Sequence, residues 1–387
     1  MGNSVLDIVQ QWSGKTFREE SIGRSYEGRD IRAFTFGDGR AKVLAWSQMH
    51  GNEPTSTLAL LDVLNRIEED QTMKELLRHS ITLTAIPLLN PDGCIRHDRR
   101  NAQGIDINRD AQSLISPEAK ILMSAWERLH PDFAYNLHDQ ETRYTTLNPP
   151  TPTLIAMLAP ECSHDKAITP ARERAMKLIA HTAKHLDNIC DGAKGRIARY
   201  DDVYTPTAFG DTFMQLGTSS ILIEAGSMPG DPERTHARAA MSMAIIKGLE
   251  AIAQHQFEAN TVQEYDSLPL NKDFDGLEMI LEGIAIHDSL GNYQADLGIR
   301  RVKTSCNPED FIDDSHDLRV MNIGDLSSTP SIIRTKLNGY TLKGTHKDLY
   351  IGCKTSEITL VAPDGNCINA YTLIENNTRN FDSDKTK

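Results

Sequence analysis

Strand-like apolar runs alternate with helix-like segments over residues 17–255, and this alternation limits the possible folds more than any other feature. DIRAFTFG, AKVLAWSQ, ITLTAIPLL, DFAYNL and SSILIEAG are nearly continuous in apolar character, as strands covered on both faces must be. Between them lie helical patterns. PTSTLALLDVLNRIEED carries Leu58, Leu61, Leu64 and Ile67 at three-residue spacing. SPEAKILMSAWERL opens with Ser116 as N-cap and Pro117 at the first helical position. Thr169 and Pro170 open a long helix that stops near Gly192, and DPERTHARAAMSMAIIKGLEAIAQH closes the section. The pattern predicts an α/β domain with a mixed, largely parallel sheet and helices on both faces.

The texture changes after residue 255. Short strand-like runs follow, separated by turn pairs such as Asn338-Gly339 and Asp364-Gly365. We therefore expect a catalytic domain over 1–255, a small β-rich domain over 256–375, and a polar tail without structure over 376–387.

Several function classes are disfavoured. A formal net charge of -13 is a poor match for nucleic acid, which needs a basic footprint. No apolar run reaches the ~18 residues that span a bilayer. The N-terminus lacks the basic and apolar regions of a signal peptide, so the expected location is the cytoplasm. The six cysteines, Cys94, Cys162, Cys190, Cys306, Cys353 and Cys367, are scattered with no C-x-x-C pair and read as reduced thiols.

In open α/β sheets ligands bind beyond the carboxyl ends of the strands, so the residues there carry the functional signal. His50-Gly-Asn-Glu53 follows AKVLAWSQ. NPDG and then RRNAQGIDINRD follow ITLTAIPLL. His138-Asp139 follows DFAYNL, and Glu224 sits within SSILIEAG. An H-x-x-E pair alone is usually two solvated side chains. A carboxylate inside an apolar strand is harder to dismiss, because burying it unpaired is costly. Taken together, His50, Glu53 and His138 form a ligand set of the kind that holds a catalytic zinc, and Glu224 is a candidate general base with a pKa raised by its apolar surroundings. Gly51 and Asn52 read as a sharp turn, with Pro54 starting the helix behind Glu53. His181 and His185, four apart, read as a polar helix face. The segment 90–110 reads as a long irregular loop whose Arg96, Arg99, Arg100 and Arg109 suit an anion or a developing oxyanion.

These motifs, in this order and approximate spacing, resemble the zinc metallocarboxypeptidases, the carboxypeptidase A-like family, over roughly residues 17–255. The matching stretches are IGRSYEGRDIRAFTFG, MHGNE, NPDG, RRNAQGIDINRD, NLHDQ and ILIEAG. The resemblance implies a carboxypeptidase-like fold and one Zn2+ per chain held by His50, Glu53 and His138. It implies Glu224 as catalytic base and Arg99 as the group polarising the scissile carbonyl. Asn108 and Arg109 would bind the terminal carboxylate, and Asp106 would orient His50. A mobile tyrosine over the substrate falls on Tyr204, with Tyr200 as second choice. Gly210 falls where relatives floor their specificity pocket. The expected activity is removal of a C-terminal residue from a peptide, ordinary or of cell-wall type, with no nucleic-acid or membrane partner. The rivals are a deacylase acting on small N-acyl amino acids and a zinc- or peptide-binding protein without catalysis.

Overall fold

In the computed structural model, residues 4–146, 150–190, 192–200, 203–229, 231, 233–289, 291–303 and 316–380 are described. Two compact units emerge. The first comprises residues 1–147, 153–227 and 234–272; the second comprises 148–152, 228–233 and 273–387. Residues 256–272, grouped with the second domain by texture, thus fall in the first unit.

The first unit is built on an eight-stranded sheet. Its strands lie in the order Arg18–Arg24, Asp30–Phe36, Ile81–Ile86, Ala41–Ser47, Phe133–Asp139, Ser219–Ala225, Ile155–Leu158, Ile197–Arg199. The central four, Ile81–Ile86 through Ser219–Ala225, are parallel. Antiparallel pairs flank them on both sides, so the sheet is mixed. The central strands are those with the most continuous apolar sequence, because helices cover both of their faces. On one face Leu44, Trp46 and Ala134 pack with Leu122 and Ala125 of helix Pro117–Leu129 and with Phe209 and Phe213. On the other, Tyr135 lies so close to Gly248 of helix Thr235–Ala253 that a Cβ there would sit 2.0 Å from its hydroxyl.

The helix starts follow their sequence signals. Ser116 accepts the Ala119 N–H and Thr169 the Arg172 N–H. The helix Pro170–Ile189 ends just before Cys190. His181 and His185 share a helix face, as the sequence suggested, but His181 is buried there, 3.3 Å from Asn260 Oδ1, with the His185 ring tilted against it at 4.2 Å.

The second unit holds a separate sheet. Strands Leu277–Asp288, Gly291–Lys303 and His316–Gly324 pair antiparallel, and Ser331–Lys336 joins the first of them in parallel. Met279, Leu281, Leu297 and Val320 form its core with Leu373 and Ile374 of helix Ala370–Asn380. That helix corrects the expected tail: residues 376–380 are helical, and 381–387 lie outside the described residues, as does Cys306. The other five cysteines are free thiols.

Candidate metal centre and active site

Strand Ala41–Ser47 delivers His50 through a bend. Gln48 adopts a left-handed φ of 49°, a conformation that costs a non-glycine residue energy. Its side chain is locked in place: Nε2 donates to Gly51 O at 2.9 Å and Oε1 accepts from the Thr57 hydroxyl at 2.7 Å. Gly51 and Asn52 form the expected turn, closed by the Glu53 N–H donating to His50 O at 3.2 Å. Gly51 also allows close packing, because a Cβ there would lie 2.0 Å from the Gly93 carbonyl carbon. Gly93 belongs to a short helix, Pro91–Arg96, capped by the Asn90 side chain. The segment 90–110 is therefore not one irregular loop: it holds this helix and a 3-10 turn at Ile107–Arg109.

Glu53 stands immediately before helix Pro54–Glu69 and makes no side-chain cap. The cap comes from another strand. Asp139 Oδ2 accepts the Thr55 N–H at 2.7 Å and Oδ1 the Ser56 N–H at 2.8 Å. Asp139 thereby ties the strand end carrying His138 to the helix start carrying Glu53. Burial raises the Asp139 carboxyl above its ordinary range, against the pull of Arg234. The sequence displayed His138-Asp139 as a pair, but only the second half of the contact, 84 residues away, gives Asp139 its meaning.

The three candidate ligands converge. His50 Nδ1 is 2.7 Å from Glu53 Oε1, His138 Nδ1 is 2.8 Å from Glu53 Oε2, and the two Nδ1 atoms are 3.2 Å apart. All three side chains are buried. With the His50 Nε2 proton given to Asp106, a neutral His50 presents a bare lone pair at Nδ1 to the Glu53 carboxylate, a contact between two acceptors. A dication satisfies the whole set. Donors about 2.0–2.1 Å from a tetrahedral zinc stand about 3.4 Å apart; the two Nδ1 atoms, at 3.2 Å, are near that spacing, and the Glu53 oxygens are closer in. Burial alone would raise the Glu53 carboxyl, but His50 and His138 hold it well below the usual range, so it stays an anionic donor.

Asp106 accepts at 3.1 Å from His50 Nε2, the ring nitrogen facing away from the cluster, and so fixes which nitrogen points inward. Asp106 is itself partly buried, yet its hydrogen bond to His50 and the charges of Arg99 and Arg109 hold its carboxyl well below normal. Arg99 Nε donates to Asp106 at 3.1 Å, and Nη1 reaches to 3.1 Å from His50 Nδ1 and 3.5 Å from Glu53. Of the other arginines, Arg96 pairs with Glu27 and Arg100 braces the loop at Gly104 O. Neither belongs to the cluster.

Glu224 lies on the adjacent strand, in register with His138. Burial raises its carboxyl to about 7; the nearby His138 opposes this, while Glu53 and Asp139 add to it. A dication at the triad would draw that value down. Asn108 and Arg109 follow Asp106 on the 3-10 turn. Asn108 Oδ1 accepts the Phe209 N–H at 3.1 Å, and Arg109 is exposed. Tyr204 packs edge-on against His164 at 4.8 Å, and among the described residues no hydrogen bond ties it to the triad. Tyr200 packs against Tyr144.

The family model for zinc carboxypeptidases matches residues 3–143, a span that includes all three ligands. Over these residues, which make up under half of the chain, it is similar to the zinc carboxypeptidase family. Zinc is the metal of that family, and the His50, Glu53 and His138 donor set fits it. Among curated relatives, an uncharacterized protein of Zymomonas mobilis is 28% identical over 141 residues, covering 35% of this chain and 37% of that one. Carboxypeptidase 2 of Trichophyton tonsurans is 28% identical over 100 residues, covering 25% of this chain and 19% of its own. The matches thus span well under half the length of these relatives. Two solved structures share the fold. Carboxypeptidase A of Helicoverpa armigera aligns with a TM-score of 0.51 and 16% identity over 65% of this chain and 71% of its own. A metallo-carboxypeptidase of Burkholderia cenocepacia aligns with a TM-score of 0.50 and 18% identity over 64% and 68%.

Proposed function

We propose that this protein is a zinc-dependent carboxypeptidase that hydrolyses the C-terminal amide bond of a peptide. The observation that carries the reading is the meeting of His50 Nδ1, His138 Nδ1 and Glu53 with Glu224 in register beside them. When bound, zinc supplies Lewis acidity that makes a water nucleophilic near neutral pH and polarises the scissile carbonyl.

The chain's own groups do the rest. Glu224 takes the proton released by water and returns it to the departing amine, a task suited to a carboxyl whose surroundings lift it toward neutrality. Arg99, already positioned by Asp106, offers its guanidinium to the negative charge that develops on the carbonyl oxygen. Asn108 and Arg109 grip the terminal carboxylate and so restrict cleavage to the last residue. Tyr204 closes over the bound end from the 203–207 segment.

The test combines metal analysis with hydrolysis of a peptide library and of N-acyl amino acids, with and without chelator. One zinc per chain and chelator-sensitive release of C-terminal residues are expected. Release of acyl groups alone would move the assignment to a deacylase. The Glu224→Gln protein should keep its zinc and lose turnover by several orders of magnitude. Zinc with no turnover on any substrate would leave only a binding protein.

A further inference from the structure

One face of strand Ser219–Ala225 stays open where its neighbours are closed. Leu222 and Glu224 are partly exposed while Ile221, Ile223 and Ala225, on the opposite face, are buried. Asn136 is in register with Leu222 and two residues before His138, so it shares the open face one step below the metal ligands, about 7 Å down the strand. Asn136 is only 1% exposed, yet neither atom of its carboxamide has a hydrogen-bond partner among the described residues. The Ser220 hydroxyl, on the same face, is buried and equally unpartnered.

These atoms lie next to the grip on the substrate end. Asn108 Oδ1 holds the Phe209 N–H. The next residue, Gly210, points its missing side chain at Pro160 Cγ (3.3 Å), Asn136 Nδ2 (3.6 Å) and Ser220 Oγ (3.7 Å), none of them charged. Buried polar groups are normally paired, so a donor and an acceptor left together without partners call for a partner that supplies both.

The geometry points to Asn136, assisted by Ser220, as the group that selects the side chain of the residue removed, favouring a neutral one that both donates and accepts hydrogen bonds, a carboxamide above all. This rests on the carboxypeptidase reading. An apolar side chain in the same place would leave both amide atoms buried and unpaired, and sites built to hydrogen-bond a substrate reject the analogue that lacks the group.

The test uses zinc-loaded Glu224→Gln protein and two tetrapeptides that differ only in ending with asparagine or leucine, which are similar in size. Calorimetry should show the asparagine peptide binding about a hundredfold tighter. Asn136→Leu in that background should abolish or invert the preference, with an unfolding midpoint unchanged or raised. Ser220→Ala should weaken the preference and leave the fold intact. Equal binding of the two peptides, an unchanged preference in Asn136→Leu, or loss of folding in that variant (which would make Asn136 a structural anchor) would each overturn the inference while leaving the carboxypeptidase reading in place. If neither peptide binds, the carboxypeptidase reading fails and this inference with it.

Discussion

Asp211 is almost completely buried beside Gly210, where its Oδ1 accepts the Thr205 N–H at 2.8 Å. Burial pushes its carboxyl up to about 6, against the pull of the Thr205 N–H and Arg109, and with a further push from Glu161. The unfolded chain releases this proton near pH 3.9 and the folded chain near 6. Between those values the folded state binds more protons, so this group makes stability fall as pH rises. Asp211→Asn keeps the acceptor for Thr205 and removes the charge. We expect it to be more stable than the natural protein at pH 7 by about 2–3 kcal/mol, with the gap closing by pH 4. Urea unfolding at the two pH values measures this; a variant that is less stable at pH 7 would show that Asp211 needs its charge. No sequence signal marked this residue, because the same letters would suit an exposed turn. His50, Glu53, His138 and Glu224 were legible for the opposite reason: each is polar at or near the end of an apolar strand, where few other roles are available.

Elements declared by caps and periodicity formed where the sequence placed them, since a cap and an amphipathic stripe are local facts. The short helix Pro91–Arg96 was hidden because its six residues include a glycine and follow an Asn-Pro pair that also opens loops. Its purpose, the close contact of Gly51 with Gly93, depends on two segments far apart in sequence. The start of helix Pro54–Glu69 was similarly incomplete in the sequence: Pro54 announced it, but the capping carboxylate is Asp139. Asp139→Ala leaves the buried Thr55 and Ser56 N–H groups without their acceptor. The loss of a cap costs about 1 kcal/mol and each orphaned donor adds to it, so a destabilisation of about 1–3 kcal/mol is expected. The same change releases the Glu53 end of the helix from the His138 strand, and zinc affinity should fall about 10–100-fold, as it does when groups supporting metal ligands are lost. Competition with a chelating dye reports the affinity and thermal unfolding the stability. Unaltered zinc affinity in a destabilised variant would reduce Asp139 to a helix cap.

At the scale of the whole molecule, the change of texture after residue 255 announced a second architecture, and the separate sheet with its own core bears out that class of structure. The division by contacts falls later in the chain, at residues 272 and 273, because helix Val262–Asp266 packs on helix Pro170–Ile189 and Tyr265 is buried among residues of the first unit. Texture alone does not see such packing, since an isolated short helix looks the same whichever body it joins. All three candidate metal ligands lie in the first unit, on a bend, a helix start and a strand end that meet at the carboxyl ends of the central strands of its sheet. Zinc binds the folded arrangement and not the unfolded chain, so at a hundred times its dissociation constant it stabilises that arrangement by about 2.7 kcal/mol. Amides that exchange only when the unit opens should then slow about a hundredfold. Hydrogen exchange with and without chelator is expected to show this protection in Ala41–Ser47, Phe133–Asp139 and Ser219–Ala225. The strands Leu277–Asp288 and Gly291–Lys303, which close over a core of their own, should exchange at the same rate in both conditions. Protection spread equally over both sheets would mean that the two units open as one, and no protection at the three triad strands would mean that zinc is not held where His50, Glu53 and His138 converge.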